Sequence, residues 1–192
     1  MNDAVAAVRR GLPVVLPTDT VYGLCALATE EATERMYALK GRPPGQPTAL
    51  LAATVEQLLE AVPELDARIL RALLPGPFTL VLPNPEQRYP WLTGDAPAAI
   101  GVRVPDLPRA AHVVVAAAGP IVATSANLPG GPDPRRLEDV PAELREHAAA
   151  LVDGGELPGT PSTVVDLTAD EPRIIREGAV PSAETLARLE RV

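Results

Sequence analysis

The stretch Glu30-Glu31-Ala32-Thr33-Glu34-Arg35-Met36-Tyr37-Ala38-Leu39-Lys40-Gly41-Arg42-Pro43 contains the first convincing amphipathic helix of the chain. Ala32, Met36 and Leu39 fall near one face at helical spacing, and Thr29 stands where a capping residue belongs. Gly41 stops the pattern. The spacing predicts a helix over 30–40. Short apolar runs flank it, Leu12 to Pro17 and Val21 to Ala28 before, Thr48 to Ala53 after. Runs of that length suit buried strands. A helix set between strands points to an α/β fold.

The end of this helix carries a first hint of chemistry. Lys40 is the only lysine among 17 basic residues; every other one is arginine. A site that needs a compact ammonium rather than a planar guanidinium accounts for such a choice. Arg42 precedes a proline and is pushed toward extended backbone. In an extended segment residues i and i+2 point to the same side, so Lys40 and Arg42 are expected to project together. Two like charges about 4 Å apart repel by roughly 4 kcal/mol at an effective dielectric of about 20. Such a pair is tolerable where the side chains splay into water or where an anion sits between them.

Outward from this segment, helices and strands continue to alternate. Helices are expected over Asp3 to Arg10, Thr54 to Ala61, Leu65 to Leu74, Pro108 to Ala118, Pro141 to Ala150 and Pro181 to Arg191, the last capped by Ser182. Further strands are expected over Phe78 to Leu82, Ile100 to Val104, Pro120 to Thr124, Leu151 to Asp153, Ser162 to Leu167 and Arg173 to Arg176. Pro83 to Pro97 reads as a proline-rich loop, and Leu128 to Leu137 as a mobile one. No helix separates the last two strands, so the sheet should be mixed and not purely parallel. No internal repeat or long linker interrupts the chain, which reads as one domain.

The bulk numbers restrict the function. At 192 residues, with 46% apolar and 22% charged residues, the chain has the make-up of an ordinary globular protein. Its 23 prolines punctuate loops and do not form a tract. A net charge of −8 argues against a broad basic face for nucleic acid, though not against a local basic cleft. One cysteine, Cys25, excludes an internal disulfide, and its apolar neighbours mark it as a core residue. The isolated His112 and His147 make no histidine-rich metal site. No signal-peptide pattern or membrane-spanning run is present in the sequence, and a cytoplasmic protein is expected.

The usual nucleotide signatures, G-x-x-x-x-G-K-[ST] and G-x-G-x-x-G, are absent. What remains is a set of polar residues at strand ends. Pro17-Thr18-Asp19-Thr20-Val21-Tyr22-Gly23 interrupts an apolar stretch; it reads either as a tight turn or as a ligand-facing segment with Thr20 and Tyr22 on one face. Ser125 and Asn127 share the same spacing in a chain with only three serines and three asparagines. Ser162 opens a strand, Arg103 lies inside one, and Arg176 ends another. Lys40, Arg42, Arg103 and Arg176 together could neutralise a polyphosphate. Thr20, Tyr22, Ser125, Asn127 and Ser162 could fix a small polar ligand through neutral hydrogen bonds. No covalent nucleophile or general base stands out, which fits chemistry done by positioning and charge stabilisation.

Seven blocks, in order over roughly residues 4 to 180, resemble the YrdC family of threonylcarbamoyl-AMP synthases. They are Pro17 to Leu24, Lys40-Gly41-Arg42-Pro43, Pro75-Gly76-Pro77-Phe78-Thr79, Gly101 to Pro105, Thr124-Ser125-Ala126-Asn127, Pro161 to Asp166 and Ile175-Arg176-Glu177-Gly178. The resemblance implies a single YrdC-like domain over 1–192, of the short branch without a second domain. It implies a twisted mixed parallel/antiparallel sheet flanked by helices, with a central ligand cleft. The implied reaction joins L-threonine, bicarbonate and ATP into threonylcarbamoyl-AMP and pyrophosphate. Transferase proteins then pass the threonylcarbamoyl group to tRNAs that read ANN codons, with transient tRNA contact possible at this subunit. Carried over by motif, Lys40 and Arg42 are the catalytic pair. Thr20, Tyr22, Arg103, Ser125 and Ser162 hold threonine or its carbamate. Lys40, Arg42, Gln46, Asn127, Arg135 and Arg176 contact ATP, and Mg2+ arrives with the nucleotide.

The chain departs from the family pattern at Gln46-Pro47, where many relatives carry Asn and Pro. It also differs at Leu51 and at Asp106-Leu107, where histidines are frequent. Two other readings compete. A non-catalytic paralogue binding RNA or nucleotide is disfavoured by the acidic balance and by the intact K-x-R and S-x-N pairs. A carbamoyl-transfer module of hydrogenase-maturation proteins is disfavoured because acylphosphatase and zinc-finger segments are absent.

Overall fold

Consecutive apolar residues in the strands go to opposite sides of one sheet, as the two-residue period of extended chain requires. Val14 and Leu16 pack with Cys25, Leu51 and Ile121, while Val15 packs with Leu24, Ala26, Leu50 and Val122. The strands that carry these residues thus serve two cores, one per face. The computed structural model describes residues 2–43 and 45–191.

In chain order the elements are α1 (Asn2–Arg9), β1 (Val14–Pro17), β2 (Tyr22–Leu27), α2 (Glu30–Lys40), β3 (Ala49–Leu51), α3 (Val55–Ala61) and α4 (Ala67–Leu73). They continue with β4 (Phe78–Pro83), β5 (Ala99–Arg103), α5 (Arg109–Ala118), β6 (Ile121–Ser125), α6 (Ala142–His147), β7 (Ala150–Leu151), β8 (Thr163–Asp166), β9 (Arg173–Arg176) and α7 (Ser182–Leu189). One nine-stranded sheet runs in the order β7-β1-β2-β6-β3-β5-β4-β8-β9. β7 with β1, β3 with β5 and β4 with β8 are parallel; the remaining pairings are antiparallel. The expected α/β fold with a mixed sheet is what the chain adopts.

Helix α2 starts and stops as its sequence predicts. Thr29 accepts a hydrogen bond from the Ala32 N–H, and Gly41 takes the left-handed conformation at φ 65°. The Arg42 N–H then reaches the Tyr37 carbonyl at 2.9 Å and the Gly41 N–H the Ala38 carbonyl at 3.2 Å, the bond pattern of a Schellman stop. At α7 the expected cap differs. Ser182 is the first helical residue, and the Glu177 carboxylate accepts from both its N–H, at 2.8 Å, and its hydroxyl. The proline-rich loop is pinned by Asn84, which is 1% exposed and bonds the backbone of Arg88 and Pro97.

The two faces are covered unequally. One carries a core running from β1 to β8 with contributions from α2, α3, α4 and α6. The other is covered by α1 and α5, whose Ala4, Ala7, Val8, Ala111, Val114 and Val115 pack on β1, β2, β3 and β6. Beyond Leu51 and Ile121 that second face has no helix on it among the described residues. The next residues on the same side of their strands are Ala49, Ala123, Gly101, Thr79 and Val164, and these form the floor of a cavity.

Candidate active site

The cavity has a volume of about 860 Å3. Its floor is built from small residues of β3, β5 and β6 (Ala49, Ala99, Gly101, Ala123), so space is left above the sheet. Nine of the residues marked in the sequence line it: Thr20, Lys40, Arg42, Gln46, Arg103, Ser125, Asn127, Ser162 and Arg176. They come from seven separate segments, and only the fold brings them together.

Lys40, 5% exposed, reaches from the last turn of α2 to the end of β6. Its ammonium donates to the Ser125 carbonyl, to Asn127 Oδ1 at 2.9 Å and to Ser125 Oγ at 3.4 Å. Burial, and then the neighbouring Arg42 charge, pull its pKa down to about 8, with Asp133 acting in the opposite direction. Arg42 donates to Thr124 Oγ1 at 3.2 Å and to the Pro47 carbonyl at 2.7 Å, and its guanidinium lies over the Tyr37 ring. Its Nε is buried without a partner. The two cations do converge on one cavity, but not through an extended segment. The left-handed turn at Gly41 is what redirects the chain between them.

A second cationic group stands across the floor. Arg103 donates to Asp19 Oδ1 at 3.1 Å and to Thr20 Oγ1 at 3.3 Å, and its Nε is also buried without a partner. Asp19 Oδ2 in turn accepts the Asp106 N–H at 3.1 Å. Burial raises the Asp19 pKa and the Arg103 charge partly offsets this. Arg176 donates to the Ser162 carbonyl at 2.8 Å and to its hydroxyl at 3.2 Å, and that hydroxyl lies 2.8 Å from Thr79 Oγ1. Ser125 donates to Asn127 Oδ1 at 2.7 Å. The cavity is therefore cationic, with hydroxyl and amide groups between the charges. It can take a small polar molecule together with an anion.

Two expected residues lie elsewhere. Tyr22 is fully buried on the opposite side of β2; its hydroxyl donates toward Asp153 Oδ1 and the Gly155 carbonyl and accepts the Gly154 N–H at 2.9 Å. Thr20 precedes the strand, in a turn where Thr18 Oγ1 accepts the Thr20 and Val21 N–H groups. The i, i+2 rule does not extend across that turn. Arg135 is not among the residues that line the cavity and pairs with Glu156 at 2.9 Å. Leu51 belongs to the core under α1 and α5. Sequence reasoning missed Thr79, Thr124, Asp19 and Asp133. The first three lie inside motif blocks without a spacing signal of their own, and Asp133 lies in the Gly/Pro-rich loop.

A family model named Sua5_yciO_yrdC, described as "Telomere recombination", matches residues 6–178. The chain belongs to the Sua5/YciO/YrdC family. It is 37% identical over 186 residues to a threonylcarbamoyl-AMP synthase of Pyrococcus abyssi, covering 94% of this chain and 54% of that protein. It is 36% identical over 183 residues to a threonylcarbamoyl-AMP synthase of Bacillus subtilis, covering 92% and 53%. The chain spans about half the length of these curated relatives. The solved structure of Pyrococcus abyssi Sua5 complexed with L-threonine matches with a TM-score of 0.83 at 32% identity, over 98% of this chain and 57% of that one. Escherichia coli YciO matches with a TM-score of 0.78 at 31% identity, over 94% and 89%.

Proposed function

We propose that this Sua5/YciO/YrdC domain makes L-threonylcarbamoyladenylate and pyrophosphate from L-threonine, bicarbonate and ATP. The observation that carries the reading is the cavity itself, in which four cations alternate with hydroxyl and amide groups on a floor of small residues. The names of the Pyrococcus and Bacillus relatives, and the L-threonine complex of the former, support the same reading.

The chemistry assigns work to each group. Arg103, held by Asp19, takes the threonine carboxylate, with Thr20 and Ser162 beside it. Bicarbonate gives carbon dioxide and hydroxide; the threonine amine attacks the carbon dioxide to give a carbamate, and the proton it loses joins the hydroxide as water. The carbamate oxygen then attacks the α-phosphorus of ATP, and the bond to pyrophosphate breaks. Both steps concentrate negative charge, which Lys40 and Arg42 stabilise from one side and Arg176 from the other. Asn127 and Gln46 complete the nucleotide contacts. The magnesium that accompanies ATP would polarise the phosphates. No cluster of three metal-ligating side chains exists among the described residues, so phosphate oxygens and waters together would supply most of its ligands. The product serves transferase proteins that modify tRNAs reading ANN codons. No helix among the described residues is long and apolar enough to cross a membrane, in keeping with the cytoplasmic location proposed here.

Pyrophosphate release from ATP tests the reading. Release should require threonine and bicarbonate together. Release indifferent to threonine, or none at all, would overturn it.

A further inference from the structure

The cavity contains one feature that the cationic scheme leaves unexplained. Asp133 is the single acidic side chain among its described lining residues. It stands on the Lys40–Asn127 side, where Asn127 Nδ2 lies 3.4 Å from its Oδ1. None of the four cations pairs with it. Lys40 turns to Ser125 and Asn127, Arg42 to Pro47 and Thr124, Arg103 to Asp19, and Arg176 to Ser162. Every cation is thus hydrogen-bonded to another partner, and the carboxylate lines the cavity with one weak neutral contact and the Lys40 charge acting on it only through space.

A bare carboxylate beside a polyphosphate is repulsive, and in a partly desolvated cavity that repulsion is large. The sign reverses if a divalent cation stands between them. Magnesium in nucleotide sites characteristically takes one or two carboxylates together with substrate phosphate oxygens and waters. A lone carboxylate, unpaired and adjoining the Lys40–Arg42 phosphate end, meets that requirement. A general base for the threonine amine would instead belong near Arg103, Thr20 and Ser162, across the floor.

We propose that Asp133 is this chain's own anchor for the divalent cation that enters with the nucleotide. The inference rests on the ATP-binding reading above and adds a residue to it. It also assigns the Gly/Pro-rich segment a function. The Asn127 amide, which donates to the Gly131 carbonyl at 2.7 Å, ties the segment bearing Asp133 to the residue that holds Lys40. A cation held by Asp133 would thereby be coupled to the position of the Lys40 ammonium through Asn127.

Calorimetric titration of α,β-methylene-ATP, which cannot be cleaved at the reacting bond, separates the possibilities. Wild type and Asp133→Asn are each titrated with magnesium and with chelator. In wild type, magnesium should tighten binding on the order of tenfold. In Asp133→Asn that gain should disappear, while metal-free binding becomes tighter than in wild type, because a repulsive charge is gone. This opposite movement of the two arms is the signature of an anchor. Weaker binding by the variant in both arms would mark Asp133 as structural and overturn the proposal. Unchanged binding in both arms with lost turnover would mark it as a proton acceptor and also overturn it. No binding by wild type in either arm would refute the nucleotide reading itself, a separate failure.

Discussion

At the scale of single residues, the account depends on Lys40. An ammonium that is 5% exposed and held by the oxygens of Ser125 and Asn127 is fixed in position before any ligand arrives. Such preorganised charge typically contributes a factor of about 100 or more to turnover. Lys40→Ala should lose at least that much while keeping its circular dichroism spectrum and melting transition; near-normal turnover would contradict the role. The pKa of about 8 gives a second test. A depressed lysine is cationic below that value and neutral above it. Nucleotide kcat/KM should therefore fall as pH rises through about 8, and the limb should move to higher pH in Lys40→Arg, whose guanidinium stays charged. Asp19 works at one remove. It fixes Arg103 without lining the cavity, so Asp19→Asn should raise the KM for threonine roughly tenfold and leave the KM for ATP nearly unchanged. An equal rise in both would point to general loosening instead.

At the scale of elements, the legible part was the periodic part. Helix α2, from its Thr29 cap to its Gly41 stop, follows from spacing and capping chemistry alone, and the mixed sheet from the missing helix between the last two strands. Strand faces were harder, because alternation holds only inside a strand. Thr20 lies in a turn and Tyr22 opens β2, so residues two apart ended on opposite sides of the wall. Arg135 could not be placed from sequence, since its direction is set by Glu156 some twenty residues later. The floor was also hidden: Ala49, Gly101 and Ala123 look unremarkable until the uneven helix cover leaves them bare. A Cβ at Gly101 would meet only ordinary contacts, the nearest at 3.7 Å. Gly101→Leu should therefore fold with a melting temperature within about 5 °C of wild type and yet bind threonine and nucleotide at least about tenfold more weakly, by filling the cavity. Gly178 is the opposite case. A Cβ there would clash with the Pro161 carbonyl oxygen and the Ser162 backbone, so Gly178→Ala should destabilise by roughly 1–3 kcal/mol in denaturant unfolding and displace the Ser162–Arg176 wall.

At the scale of the whole molecule, the sheet works as a scaffold with one finished face and one half-finished face. The finished face supplies a continuous core from β1 to β8. On the other, α1 and α5 cover one half, and the remainder gathers side chains from seven segments around a cationic cavity. That arrangement reconciles a net charge of −8 with an anion site: the positive charge is local, with Lys40, Arg42 and Arg176 held by neutral oxygens and Arg103 by the Asp19 carboxylate. It also explains why no single motif in the sequence announced the proposed activity, which rests on the assembly of blocks. The central claim is that one cavity joins three reactants, and the product itself gives the most direct test. With ATP, L-threonine and 13C-labelled bicarbonate, mass spectrometry should find an adenylate that carries both threonine and the labelled carbon, with pyrophosphate formed in equal amount. An adenylate without the labelled carbon, or only ADP or AMP with free threonine, would contradict the account.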